Sequence, residues 1–178
     1  TMELWAFSTS ALADYNLINL GTYKEAYTGE RLIWITNSGA SIYISGGTDY
    51  PTTYSCTFPN SVKLTTGVWN HIALTRQNNN IKVYLNGVGG TAVSAPGAGQ
   101  PNSSRYDLAG PHGLWFGVNS TNWTGFSPTL YTGFMSNFRY VVGTALYTGN
   151  FTPPTSQLTA ITNTQVLTHQ SNRLKETS

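Results

Sequence analysis

A chain of 178 residues with 39% apolar and 13% aromatic content has enough material for one buried core, yet only 9% of it is charged, against about 25% in ordinary globular domains. A formal net charge of +2 from nine scattered Lys and Arg leaves no basic stripe for phosphate neutralisation, so nucleic acid is excluded as a partner. One cysteine, Cys56, excludes an internal disulfide and is expected as a buried free thiol. No apolar run is long enough to span a bilayer.

In chain order, Thr1–Ser8 alternates Met2, Leu4 and Ala6 with Glu3, Trp5 and Phe7, the pattern of a central strand with both faces covered. Thr9–Tyr15 reads as a loop and Asn16–Leu20 as a short strand stopped by Gly21. Arg31–Thr36, the turn Asn37-Ser38-Gly39 and Ser41–Ser45 form a hairpin. Asp49–Phe58 is a Tyr- and Thr-rich connection, and Lys63–Thr65 leads to Gly67. The organising stretch is Trp69–Gly87: apolar runs Trp69–Arg76 and Ile81–Leu85 flank the polar turn Gln77–Asn80, and Asn86-Gly87 closes the second run. Trp69, His71, Ala73 and Thr75 share one face; Ile72, Leu74 and Arg76 share the other.

Val88–Pro111, rich in Gly, Ala, Pro and Ser, is a long loop or edge. Leu114–Asn119 is a strand, Ser120–Thr129 a polar loop tipped by Trp123, Gly133–Val142 a strong strand, and Thr164–Gln170 a last one. No amphipathic helix and no fixed repeat is present. Short strands separated by Gly, Asn and Pro specify an all-β sandwich or jelly roll.

With these residues in view, the chain resembles the laminin G-like, concanavalin A-like jelly rolls, sandwiches of two antiparallel sheets. The matching pieces are ELW at Glu3–Trp5, WNHIALTR with VYLNG in the middle, and the late GFMSNFRYVVGTALY. The tail, YTGNFTPP at Tyr147–Pro154 with TQVLTHQSN at Thr164–Asn172, is similar to the version found in structural proteins of tailed bacteriophages, often cyanophages. The resemblance implies one jelly-roll domain over residues 1–178, cut from a longer chain, with 172–178 opening a linker. It also implies a first strand without one sheet neighbour unless another segment or chain supplies it, an open edge of the kind that invites strand addition. It further implies a virion protein (tail, fibre, baseplate or capsid decoration) made in the bacterial host cytoplasm, whose partners are other virion subunits, further copies of itself or a host surface glycan.

Candidate chemistry is sparse. Glycosidases on this fold need two carboxylates about 5–9.5 Å apart, which on a strand means acids at i, i+2 or i, i+4. Glu3, Asp14, Glu25, Glu30, Asp49, Asp107 and Glu176 include no such pair, so no catalytic residue is expected. A single calcium ion would need about six to eight oxygens, and the loop acids Asp49 and Asp107 each lack a second acid, so no metal site or cofactor is expected. Trp69 reads as a packing anchor with His71 hydrogen-bonded beside it, and Arg139 as a paired, half-buried guanidinium. The sequons at Asn102, Asn119, Asn122 and Asn150 are chance in an Asn-, Ser- and Thr-rich chain.

Sugar sites combine an exposed aromatic stacking platform with Asn, Asp and Gln side chains that bind hydroxyls. Trp123 with Asn119 and Asn122 has that make-up, as does Asp49 with Tyr50 and Tyr54. Two functions follow: a non-enzymatic virion module presenting the loops Asp49–Phe58, Val88–Pro111 and Ser120–Thr129, or a lectin-like module for a host surface glycan.

Overall fold

The computed structural model describes residues 1–10, 15–21, 29–35, 41–45, 53–57, 63–78, 80–94, 113–117 and 131–170, and all regular elements among them are strands. In chain order these are β1 (Met2–Ser8), β2 (Tyr15–Gly21), β3 (Gly29–Ile35), β4 (Ser41–Ser45), β5 (Thr53–Thr57), β6 (Trp69–Gln77), β7 (Asn80–Leu85), β8 (Val88–Gly89), β9 (Val93–Ser94), β10 (Gly113–Phe116), β11 (Gly133–Val141) and β12 (Thr164–Thr168). The first sheet has the order β12-β11-β1-β6-β7-β8, with β9 also on β7; the second is β10-β2-β3-β4-β5. Every pairing is antiparallel.

The period-2 pattern of the sequence decides the faces. Met2, Leu4 and Ala6 of β1, Ile72 and Leu74 of β6, Ile81, Val83 and Leu85 of β7, and Phe138 and Tyr140 of β11 turn inward and meet Leu17 and Ile18 of β2 in one core. The central hairpin is as expected, one residue longer at each strand, with Gln77 opposite Asn80. Asn86 and Gly87 join β7 to β8 at φ of 50° and 81°, a two-residue turn in the left-handed region that Asn-Gly favours.

One expectation is corrected and one open alternative is settled. Asp49–Phe58 is not wholly a connection: Thr53–Thr57 pairs with β4 along its length, because a Thr- and Tyr-rich segment suits a pleated surface as well as a loop. And β1 has no open edge. It pairs with β6 on one side and β11 on the other, so a strand from far along the chain supplies the neighbour.

That second pairing depends on a bulge. Trp5 lies opposite Ser136 and Glu3 opposite Arg139, so Asn137 and Phe138 together face Leu4. Asn137 takes up the extra residue at φ 52°, a conformation Asn tolerates and β-branched residues do not. The bulge flips the alternation of β11: Phe134 and Ser136 face outward before it, and Arg139 after it. Without it Phe138, not Arg139, would face outward. The Asn137 side chain also accepts a hydrogen bond from Leu158 N at 3.0 Å. We predict that Asn137→Val lowers stability by about 1–3 kcal/mol, and Asn137→Gly by less, since glycine keeps the backbone and loses only the side-chain bond; urea denaturation of the two variants measures the difference.

Candidate functional site

The outer face of the first sheet carries the polar chemistry. Glu3, buried in the middle of β1, accepts two hydrogen bonds from Arg139 at Oε1 (Nε 2.9 Å, Nη2 2.6 Å). Its Oε2 accepts from the Tyr147 hydroxyl at 2.7 Å and from His71 Nε2 at 3.2 Å. Arg139 Nη1 donates onward to Thr159 O at 3.0 Å. A carboxylate can only accept, so Nε2 carries the His71 proton, and Nδ1 has no hydrogen-bond partner among the described residues. The rings of Trp5, Tyr147 and Phe151 pack around that imidazole edge-on.

A strap from the end of β11 covers this cluster. Tyr147 and Phe151 stack with centroids 3.6 Å apart and planes 6° from parallel, and both pack on Tyr84, whose hydroxyl donates to Tyr147 O at 2.9 Å. Phe151 N donates to Gly87 O at 2.9 Å. A Cβ at Gly87 would fall 1.8 Å from Phe151 O, so the strap seats only on glycine.

Burial pushes the Glu3 carboxyl up, but the hydrogen bonds from His71, Tyr147 and Arg139 and the Arg139 charge outweigh it, and the net effect is a lowering from the ordinary 4.5. Burial, reinforced by the adjacent Glu3, raises the Tyr147 phenol above its ordinary 10.0. The cluster therefore holds a buried anion paired with the Arg139 guanidinium. Nothing in it has the raised carboxyl of a general acid or a second carboxylate at glycosidase distance; Glu3 is the one acid among the residues whose side chains are described. No group of three or more His, Cys, Asp or Glu among the described residues is placed to hold a metal. A cleft of about 660 Å³ at the β1 start, floored by Met2, Leu74, Ile81 and Tyr140 and rimmed by Arg76, includes no carboxylate in its lining.

The expectations for Arg139 and His71 hold, and Glu3 is the partner sequence reasoning missed. An acid amid MELWAF and an arginine amid NFRYVV are the signal, each needing a counter-charge once its strand is covered. Trp69 is corrected: it is 45% exposed, not a buried anchor, because the strap reaches His71 and stops short of the rung above it. Of the sugar-site candidates, Trp123, Asn119, Asn122, Asp49 and Tyr50, like the calcium candidate Asp107, lie outside the described residues; Tyr54 sits in β5 opposite Ile44. The segments bounding the two groups are nevertheless placed. Gly117 N donates to Leu17 O and Tyr131 N to Gly117 O, which puts Gly117 and Tyr131 at the end of the sandwich where β1 finishes. Ser45 and Thr53, which bound the 46–52 connection, lie at the opposite end of the second sheet.

An antiparallel two-sheet sandwich of this order, sealed by a strap on one outer face, is a concanavalin A-like jelly roll. Residues 1–139 match the concanavalin A-like lectin/glucanases superfamily, and the chain belongs to it. No curated protein sequence matches the chain significantly. Among solved structures it is similar to an inferred carbohydrate-binding protein from Bacteroides ovatus (20% identity, TM-score 0.51, covering 78% of this chain and 35% of that one). It is also similar to the CBM40 module of the Ruminococcus gnavus IT-sialidase, in a structure bound to α2,6-sialyllactose (19%, 0.52, 74% and 70%). A third is the heptameric SAP-like pentraxin of Limulus polyphemus (11%, 0.50, 78% and 61%). The chain spans about a third of the first of these and under two thirds of the pentraxin; at such identities the likeness is one of fold.

Because the Glu3 carboxyl is lowered on folding, its contribution to stability is fully present above pH 4.5 and lost as pH falls through the folded value. We predict acid unfolding beginning below pH 4.5 that Glu3→Gln flattens, at the expense of lower stability at pH 7, read by thermal melts across pH. Arg139→Met, which strands the buried carboxylate, is predicted to lower stability at pH 7 by about 3–5 kcal/mol, a loss larger than that of Glu3→Gln in the same melts.

Proposed function

We propose that the chain is a non-enzymatic carbohydrate-binding module. The observation that carries this reading is the chemistry of one end of the sandwich, on a chain of a lectin and glucanase superfamily. There the connections after β1, before β6 and before β11 converge: Gly67 N donates to Ser8 O and Thr9 N to Thr132 O. Residues 4–10, 64–70 and 131–138 include no charged side chain, and Thr9, Thr66 and Thr132 are exposed among them. Hydroxyls and aromatic rings are among the groups with which a protein binds a sugar, which offers hydroxyls on its edges and C–H groups on its ring faces. Gly117 and Tyr131, the described residues that flank Asn119, Asn122 and Trp123 in the chain, lie at this same end.

The absence of chemistry at Glu3 fits binding without turnover. The carboxylate is occupied by three donors, and the strap seals it from any substrate. In this reading the partner is a host surface glycan and no metal or cofactor takes part.

A second reading, a structural module of a phage virion, rests on the tail segments Tyr147–Pro154 and Thr164–Asn172 that resemble phage structural proteins. The first of these segments is the strap itself, so its residues serve the fold in either case. The module would then sit among other virion subunits and further copies of itself, and mass spectrometry of purified particles from the source would find it.

For the binding reading, the expected result is saturable binding of the whole chain to members of a glycan array and a flat reducing-sugar assay on the same glycans. Trp123→Ala is predicted to weaken binding at least about tenfold, or about 1.4 kcal/mol, with an unchanged melting temperature. Release of reducing ends would overturn the non-enzymatic assignment, and an array without hits would overturn the module's sugar binding.

A further inference from the structure

The outer face of the first sheet is built in rungs across β11, β1 and β6. Arg139, Glu3 and Ala73 make one rung, Ser136, Trp5 and His71 the next, and Phe134, Phe7 and Trp69 the last. The strap closes over the polar rungs through Tyr147 and Phe151. The last rung is left open: Phe134 is 61% exposed and Trp69 45%. Its rings touch in series, with Phe7 to Trp69 at 5.6 Å and 61° and Phe7 to Phe134 at 6.1 Å and 58°. Side chains on three different strands thus form one continuous aromatic row.

Two observations select the occupant. The first is area: an aromatic side chain buries roughly 150–250 Å², so the open part of the row is on the order of 200–300 Å², well below the ~800 Å² per partner of a stable protein interface. The row suits a small ligand better than a second protein. The second is the rim. Thr9 and Thr132 sit side by side at the end of β1, and Thr66 reaches Ser10 O. Both Thr9 and Thr66 spend their proton on backbone carbonyls (Thr132 O at 3.1 Å, Ser10 O at 3.3 Å), so their oxygens face outward as acceptors for a ligand's hydroxyl groups. Residues 4–10, 64–70 and 131–138, which form the row and its rim, carry no charged side chain, a composition that suits a neutral ligand.

We propose that the Phe134–Phe7–Trp69 row is the stacking platform of the module, binding neutral oligosaccharides with pyranose C–H faces against the rings and hydroxyls toward the threonine rim. This inference rests on the carbohydrate-binding reading and places the contact on the open face of the first sheet, apart from Trp123.

The test uses the whole chain with neutral hexasaccharides of glucose, mannose and galactose, and α2,6-sialyllactose as the acidic counterpart, followed by calorimetry. Trp69→Ala and Phe134→Ala are each expected to weaken binding of a neutral hexasaccharide by about tenfold or more, and Trp69→Tyr to retain most of it. Phe134, the more exposed ring, keeps the test valid if Trp69→Ala fails to fold, with melting temperature reporting the fold. Unchanged binding in both alanine variants, with loss in Trp123→Ala, overturns the platform and leaves sugar binding standing. Binding of sialyllactose alone overturns the neutral class, and binding of none of the probes overturns the platform. A platform that instead holds two copies of the chain together would show as a dimer in sedimentation lost in Trp69→Ala, which also overturns it.

Discussion

The buried ion pair between Glu3 and Arg139 sets the terms for this fold. A carboxylate in the middle of a central strand costs several kcal/mol to desolvate unless a partner and enough donors meet it there. Arg139 supplies two hydrogen bonds to one oxygen, and Tyr147 and His71 complete the other. The two ends of the pair are 136 residues apart in the chain, so the bond forms only when β11 has docked on β1 in one register. A one-residue slip would turn Arg139 inward among apolar side chains and leave the acid uncompensated. The pair therefore fixes register as much as it stabilises.

The bulge at Asn137 and the strap follow from the same demand. A regular β11 would alternate straight through from Phe134 and could not place both Phe138 in the core and Arg139 against Glu3. One extra residue in the left-handed region resolves the conflict, and the amide that tolerates that conformation also tethers the strap at Leu158. The strap in turn brings Tyr147 onto the carboxylate and Phe151 onto Gly87, so the covering of the outer face and the neutralisation of its acid are one event.

What the strap leaves uncovered is as informative as what it seals. The sealed rungs hold the charged and ionisable groups, which water would otherwise stabilise in the unfolded chain; the open rung holds aromatic rings beside neutral hydroxyls. On the proposed carbohydrate-binding reading, that is the surface a neutral, amphiphilic ligand would meet. Membership of a lectin and glucanase superfamily is consistent with the division, since binding modules of this architecture need a rigid sandwich and an exposed contact surface, and no acid pair.

Local sequence determined a good part of this. Alternation in Met2–Phe7, in Trp69–Arg76 and in Ile81–Leu85 identified strands and their inward faces, because a side-chain period of two is a property of the chain alone. Asn86-Gly87 announced its turn for the same reason: its backbone angles are a local preference. The ambiguous stretch Thr53–Thr57 was not legible, since a Tyr- and Thr-rich segment suits strand or loop until a partner such as β4 pairs with it. The partner of Glu3, the two-sided pairing of β1 and the exposure of Trp69 were decided only by tertiary structure. Each depends on which distant strand lies alongside and on where the strap ends, and those are outcomes of packing between segments that no single stretch of sequence encodes.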